Sequence, residues 1–179
     1  MKRALIGATL MVCLPMAMAA SERDDKLQVL QLVKTYSETV ACETTFEGGK
    51  PLSAQLGKVF TIERDPDSGM ASYYVLWGGD KGCAGGSGTS SYFVSEVGRF
   101  SSARPLLVLS DDAFGKGFEA INPRFIRSIQ QHSPGSFTVV SLEHADQDGN
   151  NFPSKKYQYE LRQQKGKWVM TKRSYLGAP

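Results

Sequence analysis

The chain has 179 residues, of which 21 are Lys or Arg and 18 are Asp or Glu, with 41% apolar and 22% charged content. This is the balance of one ordinary soluble domain. Residues 1–19 hold two basic groups and no acidic ones, so without them 160 residues remain with 19 basic and 18 acidic groups, which removes any long-range electrostatic case for binding nucleic acid or anionic lipid.

The first nineteen residues read as a secretory signal peptide. Lys2 and Arg3 precede an apolar run from Ala4 to Leu14, and Ala17 and Ala19 supply the small residues of a cleavage site. Cleavage after Ala19 would remove Cys13 and leave Cys42 and Cys83, two cysteines that should pair in an exported chain. Closing a loop of about 40 residues would contribute roughly 3 to 4 kcal/mol in the chain-entropy model. A lipid anchor on Cys13 is disfavoured, because Val12 is large for the position before a lipidated cysteine and the Ala17-Met18-Ala19 site lies beyond it. No later stretch approaches the roughly 18 apolar residues of a membrane span. The expected address is the bacterial periplasm, with secretion beyond the outer membrane as the alternative.

Residues 23–43 carry Val29, Val33, Tyr36 and Val40 at helical spacing, widened by Leu30 and Leu32, which predicts an amphipathic helix docked through this face. Asp24 and Asp25 are expected near its start, where the helix dipole favours negative charge. From Lys58 onward the period changes to two, and turn residues recur at 65–69, 78–88, 133–136, 146–153 and 164–167. The runs between them predict strands at 58–64, 70–77, 90–97, 105–110, 125–132, 136–144, 155–163 and 167–174. Alternation is cleanest where Tyr157, Tyr159 and Leu161 oppose Lys156, Gln158, Glu160 and Arg162, the pattern of a strand with one wet face. The last four strands should form a meander, since their short connections can join only antiparallel neighbours. Segment 111–124, with Phe114, Phe118, Ile121 and Pro123, is expected as a long loop with at most a short helical turn. The expected whole is a mainly β domain over 20–179 with one N-terminal helix. Its strands would form a single antiparallel, strongly curved sheet or partly closed barrel, tied to the helix by Cys42–Cys83.

The densest feature runs from Trp77 to Thr89, Trp-Gly-Gly-Asp-Lys-Gly-Cys-Ala-Gly-Gly-Ser-Gly-Thr, with six glycines between Gly78 and Gly88. Such a loop either takes left-handed backbone conformations or lets something approach its backbone closely. One reading is an anion-binding nest of free N–H groups, and the other is a wide turn pinned by its disulfide. No Gly-Lys-Ser/Thr closes a P-loop here. The run Gly85-Gly86-Ser87-Gly88-Thr89 is one residue short of a nucleophile elbow, with Asp111 or Asp112 and then His132 or His144 following in hydrolase order. An elbow, however, needs a strand-to-helix turn, and here a strand is expected to follow. His132 and His144 alone do not make a metal site, and the run Asp146, Asp148, Gly149 and Asn150 lacks the later carboxylate of a calcium loop. Nothing in the sequence calls for a cofactor. Tyr73, Tyr74, Trp77 and Tyr92, with Phe93, flank the Gly-rich loop. Either both faces of their strands are covered, or one face carries an aromatic binding surface.

The W-x-G-D-x-G-C-x-G-G-S-G-T run resembles one that recurs in small, largely uncharacterised, β-rich exported proteins of Gram-negative bacteria. The resemblance extends to Asp148–Ser154 and to the closing hairpin around Trp168, about half of the mature chain. It implies a periplasmic address and a β-rich fold, without an activity. Members often carry a cysteine pair where this chain has Asn151 and Phe152, so a second disulfide is not expected. Two functional classes follow. The first is a non-enzymatic binding module, of inhibitor or immunity type, that caps an envelope-acting protein through Asp80, Lys81, Gly82, Gly85, Gly86, Ser87, Gly88 and Thr89. The second is an envelope enzyme or ligand carrier acting on cell-wall or lipid-linked material, with the Gly-rich loop holding an anionic group. In the first reading the side chains of Asp80 and Lys81 are expected to be exposed.

Overall fold

The computed structural model describes residues 14–86 and 88–179, with side chains described from Glu22 onward. Residues 1–13 of the expected signal peptide lie outside the described residues. Helix α1 (Leu14–Val40) and a 3-10 turn (Leu52–Lys58) precede β1 (Val59–Arg64), β2 (Ala71–Gly79), β3 (Ser91–Arg99) and β4 (Leu107–Ser110). Two short 3-10 turns (Gly115–Gly117 and Pro123–Phe125) then lead into β5 (Ile126–Ser133), β6 (Ser136–Glu143), β7 (Lys155–Gln164) and β8 (Lys167–Gly177). Every strand expected from the alternation is present, its ends displaced by a few residues at most. The turn at 52–58 is an addition, and it lays Leu52 and Leu56 against the helix-side core.

The single curved sheet is replaced by two. The strands form two separate four-stranded antiparallel sheets, ordered β1-β2-β3-β4 and β5-β6-β7-β8, and neither is closed or strongly curled. The break falls between β4 and β5, where segment 111–125 has no strand period and instead buries Phe114 and Ile121 between the sheets. Phe60, Tyr74 and Val94 of the first sheet meet Phe137, Val139, Tyr159, Leu161 and Trp168 of the second across this core. The opposite face of the first sheet carries α1: Val29, Leu30 and Val33 pack on Val59, Tyr73, Val75, Trp77 and Val97. The order of layers is therefore helix, sheet, sheet, and the first sheet is covered on both sides.

Asp25 has a role that the helix-start reading did not anticipate. The helix begins at Leu14, so Asp25 lies well inside it, buried against the first sheet. Its carboxylate meets Arg64 Nε at 3.1 Å and Arg99 Nη2 at 3.2 Å, and the Tyr73 hydroxyl donates to it at 3.3 Å. Burial and the Asp25 charge push the Tyr73 phenol up to about 12, so it remains a donor across the physiological range. Removing one partner of a buried ion pair typically costs about 3 to 5 kcal/mol, because the other charge stays behind. Asp25→Ala should accordingly lower the urea-unfolding free energy by about 3 kcal/mol. A loss below about 1 kcal/mol would show that the pair is solvated.

Tyr159 is the converse case: its ring is fully buried, and its Oη has no hydrogen-bond partner among the described residues. A buried hydroxyl left unpaired is a net liability. Tyr159→Phe should leave stability unchanged or raise it by up to about 1 kcal/mol in the same titration. A clear destabilisation would mean that the hydroxyl is satisfied.

Candidate binding loop and its flanking clefts

Beyond α1 the chain turns back along the end of β2. Thr45 N donates to Gly78 O at 2.8 Å, Gly78 N to Thr45 Oγ1 at 3.0 Å, Asp80 N to Glu43 O at 3.1 Å and Cys42 N to Asp80 O at 3.1 Å. Residues 42–45 thus extend the sheet for one more short antiparallel pairing, closed by the Cys42–Cys83 disulfide with its Cα atoms 5.3 Å apart. A Cβ on Gly79 would lie 2.6 Å from Glu43 O, and one on Gly78 would lie 2.9 Å from Thr45 Cγ2. These two glycines serve a close approach within the chain itself.

The rest of the loop is organised by Asp80, which is only 4% exposed. Its Oδ2 accepts from Gly85 N at 3.2 Å and Thr89 Oγ1 at 2.9 Å, and the amides of Gly82 and Ala84 also bond to the carboxylate. Burial works against its ionisation, but the Thr89 hydroxyl and the three amides prevail and hold its pKa below the usual carboxylate value. The nest anticipated from the glycines is filled by the protein's own anion, and the expectation of an exposed Asp80 is overturned. Around it the backbone is left-handed at Cys83 (φ 48°), Gly85 (φ 67°) and Gly86 (φ 108°). Residues 82–86 remain exposed, and Ser87 lies outside the described residues.

Lys81 is also engaged. Its ammonium pairs with Asp111 and lies 4.0 Å from the Phe93 ring centroid and 5.5 Å from that of Trp77, leaving the side chain 27% exposed. Asp111 also accepts from the Tyr36 hydroxyl at 3.1 Å, so one carboxylate links α1, the loop and the end of β4. The Lys81 hydrogen bond holds the Asp111 pKa low, against the effect of burial. Burial, followed by the bond to Asp111, raises that of Tyr36.

Of the two alternatives for the aromatic residues flanking the loop, covered faces hold for three of the four. Tyr73 and Trp77 are fully buried on the helix side and Tyr74 faces the second sheet at 5% exposure, because both faces of β2 are covered. Their polar atoms are used internally, Trp77 Nε1 donating to Ser95 Oγ at 2.8 Å and Trp168 Nε1 to the Tyr74 hydroxyl at 2.9 Å. Tyr92 alone of the four is half-buried, and it lines two clefts beside the loop. One, of about 330 Å³, runs from Thr44 to Arg124; the other, of about 260 Å³, is mostly apolar and is walled by Phe93, Phe114 and Phe118.

The remaining candidates do not converge. His132 Nε2 lies 2.7 Å from Thr138 Oγ1, whereas His144 Nε2 lies 3.0 Å from Asn150 O. Asp148 accepts from the amides of Ala145 and Ser154, which closes the 145–154 turn. Among the described residues no three His, Cys, Asp or Glu side chains are placed to hold a metal. The sequence reading missed Arg124, which has no motif around it and gains its neighbours from the Gly-rich loop and the β6–β7 turn. No protein-family model, curated protein or solved structure matches the chain.

Asp80 and Asp111 both have folded pKa values below their unfolded ones. Their contribution is therefore complete above the unfolded carboxylate pKa of about 3.9 and is lost as pH falls through the folded values. Asp80→Asn should destabilise the protein at pH 7 and reduce the slope of stability against pH below about pH 4. An unchanged slope with unchanged stability would remove Asp80 from its organising role.

Proposed function

We propose that the protein is an exported, non-enzymatic binding module of the cell envelope. It presents the 80–89 loop to a periplasmic or envelope protein, in the manner of inhibitor and immunity proteins. The observation that carries this reading is the inward use of the loop's polar side chains. Asp80 and Lys81 fasten the loop from beneath, the disulfide anchors it at Cys83, and an exposed ridge of backbone from Gly82 to Gly86 remains. A ridge already held in shape loses little conformational entropy when a partner covers it. Loops on rigid scaffolds are where binding residues concentrate. Support for export comes from the N-terminal signal pattern and from the paired cysteines. Glu22 bonds Thr61 and Asp25 bonds Arg64, so cleavage after Ala19 would retain both contacts.

The use of the loop to hold a foreign anion has less support, since its amides at Gly82, Ala84 and Gly85 already serve Asp80. The discriminating position is Ala84, whose side chain is exposed and whose amide, not its methyl, serves the loop. A photoreactive residue at Ala84 should give a discrete cross-linked protein on illumination of intact cells, and one at exposed Lys172 on β8 should not. Ala84→Arg should weaken binding of that protein by at least about tenfold and leave the melting temperature unchanged. Equal cross-linking from both positions, or full binding by the Arg variant, would sink the proposal.

A further inference from the structure

The larger cleft beside the loop has an unbalanced set of polar groups. Arg124 reaches it with its guanidinium held by neutral oxygens only, Asn150 Oδ1 at 3.1 Å, Asn150 O at 3.4 Å and Asn151 Oδ1 at 2.9 Å. Among the described residues it makes no ion pair, and its Nε–H has no partner. The last glycine of the loop makes this position possible, since a Cβ on Gly88 would lie 2.7 Å from Arg124 Nη2. The cleft's hydroxyls add further donors. Thr45 Oγ1 already accepts from Gly78 N and Thr44 Oγ1 from Phe46 N, which leaves each hydroxyl its proton to give. Ser90 and Ser91 also line the cleft, and their hydroxyls have no partner among the described residues. Against these stands one charged acceptor, the carboxylate of exposed Glu43, which does not pair with Arg124.

The geometry points to a binding site for a small carboxylate ligand, with Arg124 as its charge partner and the Ser90, Ser91, Thr44 and Thr45 hydroxyls as further donors. An arginine fixed in place by neutral groups keeps its full charge for an incoming carboxylate. The volume of about 330 Å³ is at the lower end for ligand sites and suits a body the size of one sugar ring or one amino acid. Tyr92 and Phe125 supply aromatic walls for that body. Glu43 opposes a second negative charge, which favours a monoanion. This site is separate from the exposed ridge of the loop and does not depend on its having a protein partner.

The test is an NMR titration of the disulfide-bonded protein with N-acetylglycine and with glucuronate, using N-acetylglycinamide as the uncharged control. The site predicts saturable shifts of the Arg124 Nε–H and of the Ser91 and Tyr92 amides with a carboxylate probe, and none with the amide. The two acids report whether an amino-acid or a sugar body is preferred. Glu43→Gln should tighten carboxylate binding by about fivefold through loss of like-charge repulsion. The Ser90→Ala/Ser91→Ala double variant should weaken it by about fivefold at an unchanged melting temperature, because neither hydroxyl serves the fold. Arg124→Gln should abolish the shifts, but it also releases the 144–154 turn, so the serine pair is the cleaner variant. No saturable shift with either acid at concentrations on the order of 10 mM, equal shifts with the amide, or unaltered binding by the serine variant would overturn the site.

Discussion

Strand β2 is buried on both faces, and the other layers of the molecule follow from the need to cover it. Tyr73, Val75 and Trp77 point to one side and Tyr74 to the other, and the polar atoms of the three aromatic side chains are bonded inside the protein. The hydroxyl or indole N–H of a buried Tyr or Trp usually has to find a partner inside the core. Asp25 on the helix and Trp168 on the second sheet meet two of those requirements from opposite layers. The same two layers supply the apolar cover, through Val29, Leu30 and Val33 on one side and Phe137 and Leu161 on the other. The Asp25–Arg64–Arg99 cluster fixes how the helix sits on the sheet, since a buried carboxylate between two guanidinium groups tolerates little displacement.

The Gly-rich loop is a continuation of the same strand. Where β2 ends, the 42–45 segment pairs with it, two glycines allow the close approach, and the next residue is the Asp80 that the following amides surround. A ring of N–H groups attracts an anion whatever its source, and the nearest one is in the chain. The loop is thereby self-contained, and Arg124 is brought in beneath Gly88 from the β4–β5 connection. Loop and cation are thus placed side by side on separate elements.

The amino-acid sequence by itself determined the eight strands, the amphipathic stripe of α1, the meander of β5 to β8 and the cysteine pair. These are properties of local period, turn chemistry and residue count, and each is carried by residues close together in the chain or by there being only two cysteines in 20–179. Segment 111–124 was legible as irregular, but not as the crossing that divides the strands into two sheets, because its Phe114 and Ile121 acquire meaning only against partners from both. Tyr73 and Tyr74 look alike in sequence, and which face of the sheet each would meet was open until the helix and the second sheet took their places. Asp80 was expected to be exposed on the disulfide-pinned loop, whereas the fold buries it under amides brought round by left-handed backbone at Cys83 and Gly85. Arg124 had no sequence signal at all: its neighbours Gly88, Asn150 and Asn151 come from two distant loops. Period and turn residues are encoded within a few positions of one another, whereas the burial of a charge depends on what arrives from elsewhere in the chain, and only tertiary packing decides that.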